Sequence, residues 1–142
     1  MAELDRVDVW LGWFPSREAL DEWFEESFSD DHSLISRFAE AMDVSFYDHD
    51  FVERALKPDA SDPLALLADL SYSVSYAQTV AARWREVQAS PLPFRSTDAV
   101  PLNTVVLAFG GVIAAPSSAR GPDHELHYVG QFDCDPSTGG YL

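Results

Sequence analysis

The chain predicts an α+β domain: a small antiparallel sheet, made of an N-terminal strand plus a C-terminal hairpin, covered on one face by four or five helices. Three observations lead there. Apolar residues alternate near the N-terminus, helical spacing recurs through the middle of the chain, and glycine-bearing, β-branched runs fill the last third. At 142 residues, with 46% apolar and 13% aromatic content, the chain is long enough to build one cored domain over 1–142.

The first strand is carried by Val7, Val9 and Leu11, which alternate with Asp8, Trp10 and Gly12. Trp10 and Trp13 lie an odd number of strand positions apart and cannot share a face, so one of them is expected to be exposed. Pro15 stops the strand and Ser16 caps a helix, whose Leu20, Trp23, Phe24 and Phe28 fall on one stripe. A second helix is expected from about Ser33 to Met42, with Leu34, Ile35, Phe38 and Met42 inward. Asp50 and Glu53 have the spacing of a capping box and predict a short helix through Leu56. Asp62-Pro63 supplies a cap and a first-turn proline for a helix holding Leu64, Leu67 and Leu70. A longer helix, near Ser75 to Val87, is marked by Tyr76, Val80, Trp84 and Val87, and Ser90-Pro91-Leu92-Pro93 ends the helical section. Asn103 to Phe109, extending past Gly110-Gly111 to Ile113, and Leu126 to Phe132 then predict a long-armed hairpin around the loop 116–124.

Charge narrows the function classes. The net charge is −15, and more than half of it sits in the first 31 residues, where ten acids face only Arg6 and Arg17. Glu18, Asp21, Glu22, Glu25 and Glu26 fall opposite the apolar stripe of the first helix, with Asp30 and Asp31 just beyond it. Crowding like charge onto a folded surface costs self-repulsion, which a basic partner relieves. Nucleic acid is excluded as that partner because its phosphates would be repelled. The single cysteine, Cys134, excludes an internal disulfide and suits a reducing compartment. Met1-Ala2-Glu3-Leu4-Asp5 lacks the basic and apolar regions of a signal peptide, and the run 105–115 is too short to cross a bilayer. A cytoplasmic protein without a membrane partner is expected.

Candidate chemistry is sparse. Asp48, His49, Asp50 and Glu53 together could hold a divalent ion or supply an acid and a base, which makes a small metal-assisted hydrolase the alternative reading. Turn and cap roles account for the same carboxylates without a metal. His124 and His127 with Cys134 lack the second close pair of a zinc signature. Gly110-Gly111 has no phosphate-loop context and marks a bulge or bend. No catalytic residue and no cofactor are expected.

Two stretches carry more than generic pattern. Val9-Trp10-Leu11-Gly12-Trp13-Phe14-Pro15-Ser16, followed by Leu20, resembles an opening Trp-x-Gly-x-Phe-x-Ser motif. Phe38-Ala39 and then Phe46-Tyr47-Asp48-His49-Asp50-Phe51-Val52-Glu53 resemble a Phe-Ala…Tyr-Asp-x-Asp-Phe-x-Glu motif. Together they resemble the immunity protein 22 family of bacterial polymorphic-toxin systems, over roughly residues 7 to 90. Tyr72-Ser73-x-Ser75-Tyr76 is compatible with the serine- and aromatic-rich stretch that follows in such sequences.

The resemblance implies a protein that binds and neutralises a cognate toxin and carries no catalytic residues. Combined with the charge, it predicts a cationic toxin met by Glu18, Asp21, Glu22, Glu25 and Glu26, flanked by Asp30 and Asp31. Tyr47, Asp48 and Asp50 form a second expected patch. An acidic adaptor for a different basic protein is the remaining alternative. An edge of the terminal hairpin is able to pair with a second copy, and nothing in the sequence requires it.

Overall fold

A computed structural model describes residues 5–28, 34–44, 47, 49–58, 60, 62–89, 102–121 and 123–135. In chain order it begins with β1 (Arg6–Trp13), α1 (Arg17–Phe24), β2 (Ser27–Phe28), β3 (Leu34–Ile35), α2 (Arg37–Ala41) and β4 (Val52–Leu56). It continues with α3 (Pro63–Leu67), α4 (Ala77–Ala89), β5 (Thr104–Phe109), β6 (Ala119–Arg120) and β7 (Glu125–Asp133). The main sheet has the order β4-β5-β1-β7-β6, all antiparallel, and β2-β3 forms a separate two-stranded ribbon.

The N-terminal strand is the centre of this sheet, and its composition shows why. Val7, Val9 and Leu11 are buried on one face while Asp8 and Trp10 are buried on the other, so β1 needs cover on both sides. On the first face Val7, Val9 and Leu11 join Val105 and Leu107 of β5 against Leu66 and Leu67 of α3 and Val80 and Trp84 of α4. On the second face Trp10 and Val106 meet Leu20, Trp23 and Phe24 of α1 and Phe38 of α2. Phe38 is the hub of that side, with ring centroids 5.6 Å from Trp10, 5.6 Å from Trp23 and 4.6 Å from Phe24.

Helix starts follow the caps. The Ser16 hydroxyl accepts from the Ala19 amide at 3.1 Å, and the Asp62 carboxylate accepts from the Ala65 amide at 2.9 Å, with Pro63 in the first turn. Helix α4 occupies the stretch expected from Tyr76, Val80 and Trp84.

Several expectations are corrected. The α+β class and the antiparallel sheet stand, but the helices flank both faces rather than one, because β1 and β5 are apolar on both sides. The two strands expected to form the terminal hairpin, β5 and β7, do not pair with each other, since β1 lies between them; β7 pairs instead with the short β6. Residues 52–56 are an edge strand instead of a helix, preceded by a 3₁₀ turn over His49–Phe51. Helix α1 ends at Phe24, and Phe28 belongs to β2. Helix α2 starts after Ser36, whose hydroxyl accepts from the Ala39 amide at 3.0 Å, and Leu34-Ile35 ahead of it are strand. Helix α3 ends at Leu67, short of Leu70, and β5 stops at Phe109 rather than reaching Ile113. The expectations for Ser33 and for Ser90 to Pro93 lie outside the described residues.

Asp8 is the one buried acid of the central strand. A bulge between Val9 and Trp10 shifts the register with β7, where Gly130 takes a φ of 149°. That shift puts Gln131 and Tyr128, three residues apart, on the same face. The Tyr128 hydroxyl donates to Asp8 Oδ1 at 2.6 Å and the Gln131 amide donates to it at 3.4 Å, while Oδ2 has no hydrogen-bond partner among the described residues.

Burial therefore pushes the Asp8 carboxyl above its usual range, although these hydrogen bonds and the Arg6 charge oppose the rise. The folded chain then keeps a proton that the unfolded chain releases, so Asp8 favours folding below about pH 4 and loses that contribution as pH rises through its folded pKa. Asp8→Asn keeps the acceptor for Tyr128 and removes the charge. In urea unfolding, its stability relative to the native chain is expected to improve as pH rises from about 4 through the folded pKa of Asp8 and to level off above it. A pH-independent difference would contradict the assignment.

Candidate functional site

Helix α1 presents a stripe of carboxylates because its apolar residues are committed to the sheet. Leu20, Trp23 and Phe24 are buried, which leaves Glu18 and Glu22 exposed on the opposite side and Glu25 exposed at the C-cap. Glu18, Glu22 and Glu25 make no ion pair among the described residues, and α1 has no basic residue in its last turn.

Asp21, one of the expected steering acids, is ion-paired. Its carboxylate is bridged by Arg17 Nε at 3.1 Å, an i,i+4 pair on α1, and by Arg54 Nη2 at 3.2 Å from β4. Two cations hold one acid, so Asp21 anchors α1 to the edge strand more than it adds free negative charge.

The same arginine builds a cleft. The Arg54 guanidinium carbon sits 4.8 Å from the centroid of the Phe24 ring, a cation–π arrangement that fixes the side chain across the end of α1. Beside it opens a cleft of about 420 Å³ lined by Phe24, Glu26, Tyr47, Val52 and Arg54. The Tyr47 ring is buried edge-on against Phe38 at 5.4 Å, so this residue meets the cleft as part of its wall and not as a projecting side chain. Burial pushes the Tyr47 hydroxyl up to about 12, with the Glu26 carboxylate adding to the rise and a hydrogen bond with Ser36 opposing it. Tyr47 is thus a neutral phenol at physiological pH, in hydrogen-bond contact with Glu26.

Glu26, from the acid run, and Tyr47, from the second expected patch, line the same cleft. Asp50 is exposed in the 3₁₀ turn ahead of β4. Asp30, Asp31 and Asp48 lie outside the described residues. Arg54 was missed because the stretch looked like a helix, and Val52-Glu53-Arg54-Ala55-Leu56 carries no apolar/polar alternation to mark a strand.

The residues weighed for metal chemistry are drawn elsewhere. Glu53 points to the opposite side of β4 from Arg54, where its carboxylate accepts from the Ser71 amide at 3.3 Å. His124 stacks on Phe14 at 4.6 Å on the α1 side of the sheet, whereas His127 packs edge-on against Trp84 on the α4 side. Cys134 is buried, and burial pushes its thiol up. Among the described residues no group of three or more His, Cys, Asp or Glu is placed to hold a metal ion. No helix among them is long and apolar enough to cross a membrane.

A family model described as Immunity protein 22 matches residues 7–135 of this chain. The chain belongs to that family. The match runs from β1 through β7, so the C-terminal strands, which added little to the sequence resemblance, are part of the family domain too. No curated protein and no solved structure matches the chain. Membership points to an immunity role and a partner toxin, and to a non-enzymatic function.

Proposed function

We propose that this protein is a cytoplasmic immunity protein that neutralises the cationic toxin of a polymorphic-toxin system by covering it with the acidic face of α1. The observation that carries the reading is the stripe Glu18, Glu22 and Glu25, exposed together with no counter-ion among the described residues, on a family member with net charge −15. Such a surface raises the local concentration of a basic protein and orients it before contact. A toxin that acts on nucleic acid needs a cationic cleft for phosphates, and a wall of carboxylates competes for that cleft.

The test is the association rate with a recombinant candidate toxin domain, followed by stopped flow at low and high salt. Reversing Glu22 and Glu25 to lysine is expected to slow association by about ten- to a hundredfold at low salt, with a smaller effect at high salt. Both side chains are exposed, so thermal unfolding should change little. An unchanged rate would remove the α1 face from the mechanism.

A further inference from the structure

Among the described residues, β4 has no strand paired to its outer hydrogen-bonding face. Its register with β5 is fixed by the bond from the Lys57 amide to the Asn103 carbonyl at 2.8 Å. Antiparallel strands alternate bonded and non-bonded pairs, so Ala55 and Glu53 also bond to β5. On the far side of β5, the Gly110 amide donates to Arg6 of β1 at 2.9 Å, which assigns the even-numbered β5 residues to β1 and leaves the odd-numbered ones to β4. Both bonds give the same parity. The backbone N–H and C=O groups of Val52, Arg54 and Leu56 therefore point away from the sheet, and among the described residues β4 pairs only with β5.

Those outward-facing residues are also the ones that border the cleft. Val52 and Arg54 line it directly, and Leu56 packs on the same side of the sheet. A strand added to β4 would place the side chain opposite Arg54 on the cleft side, next to the Glu26 carboxylate and the acidic stripe of α1. An edge unpaired among the described residues and a charged cleft thus meet on one five-residue strand.

We infer that β4 captures an extended segment of the toxin by strand addition, with basic side chains at alternate positions of that segment lodged against Glu26 and the α1 carboxylates. This rests on the immunity reading above and specifies how the partner is held: backbone bonds to β4 supply affinity, and the cleft selects the side chain. A second copy of this chain fits the edge poorly. Each copy carries a net charge of −15, so pairing two β4 strands would bring two strongly acidic chains together, whereas a basic segment relieves that repulsion.

The experiment is amide hydrogen exchange on the full chain, alone and mixed with the recombinant toxin domain used for the association rate. Complex formation is expected to slow exchange at Val52, Arg54 and Leu56 by at least about tenfold, because opening the interface must precede exchange. A parallel pair of variants isolates the backbone. Arg54→Ala removes the side chain and keeps the outward N–H; Arg54→Pro removes both, at an edge position where proline does not break the ladder to β5. Arg54→Pro should bind about tenfold more weakly than Arg54→Ala, the loss expected for one net backbone hydrogen bond. A complex in which the three amides exchange as in the free chain overturns strand addition and leaves the immunity reading in place. No complex at all overturns both, and protection in the free chain that grows with concentration assigns the edge to self-association instead.

Discussion

Gly12→Ala is expected to cost about 3 kcal/mol in urea unfolding, the upper end of what overpacking a core does. A Cβ at Gly12 would stand against the carbonyl oxygen of Glu125 inside contact distance, with the Glu125 carbonyl carbon at 2.8 Å and the Leu126 Cα at 2.9 Å. All three are backbone atoms of β7, so no side chain can swing away, and the strands themselves must separate. The position is costly for a second reason. Gly12 pairs with Thr104 on one side and Leu126 on the other, so a shift here loosens β1 from both neighbours. It lies four residues before the Ser16 cap, and displacing β1 moves the start of α1 and with it the acidic stripe. A loss below about 1 kcal/mol would mean that β1 and β7 are free to separate at this point.

The central strand was legible because five buried residues in a row still alternate between two chemically distinct sets, Val7, Val9 and Leu11 against Asp8 and Trp10. Its position between β5 and β7 was not. Two strands close in sequence default to a hairpin, and only the burial of both faces of β1, a tertiary fact, places it between them. Edge strand β4 was hidden by a local coincidence: Asp50 followed by Glu53 has capping-box spacing, and a half-buried strand shows no clean alternation of apolar and polar residues. That error concealed Arg54, and with it the bridge to Asp21 and the cleft. The exposed carboxylates of α1 were readable, since helical spacing assigns faces directly; which of them carries a partner was not, because Arg54 reaches Asp21 across 33 residues.

Trp10→Ala is expected to remove about 3–5 kcal/mol, a large share of the stability of a domain this size. The Trp10 ring is fully buried, edge-on to Phe38 at 5.6 Å and tilted against Tyr128 at 5.3 Å, and its indole N–H donates to the Ser117 carbonyl at 2.8 Å. Truncation leaves a cavity between the central strand and α2, and it leaves that carbonyl without its donor. Trp13 provides the internal control. It is only partly buried at the end of β1, and the same truncation there should cost less than about 1 kcal/mol. Of the two tryptophans that could not share a face, Trp10 is the core residue, because its neighbours Val9 and Leu11 already commit the opposite face to α3 and α4. Equal losses at the two positions in chemical unfolding would refute that division. The consequence for binding is indirect but measurable. Phe38 also contacts Phe24 and Tyr47, so a cavity at Trp10 loosens two walls of the cleft, and under the proposed function toxin binding weakens even where the variant remains folded.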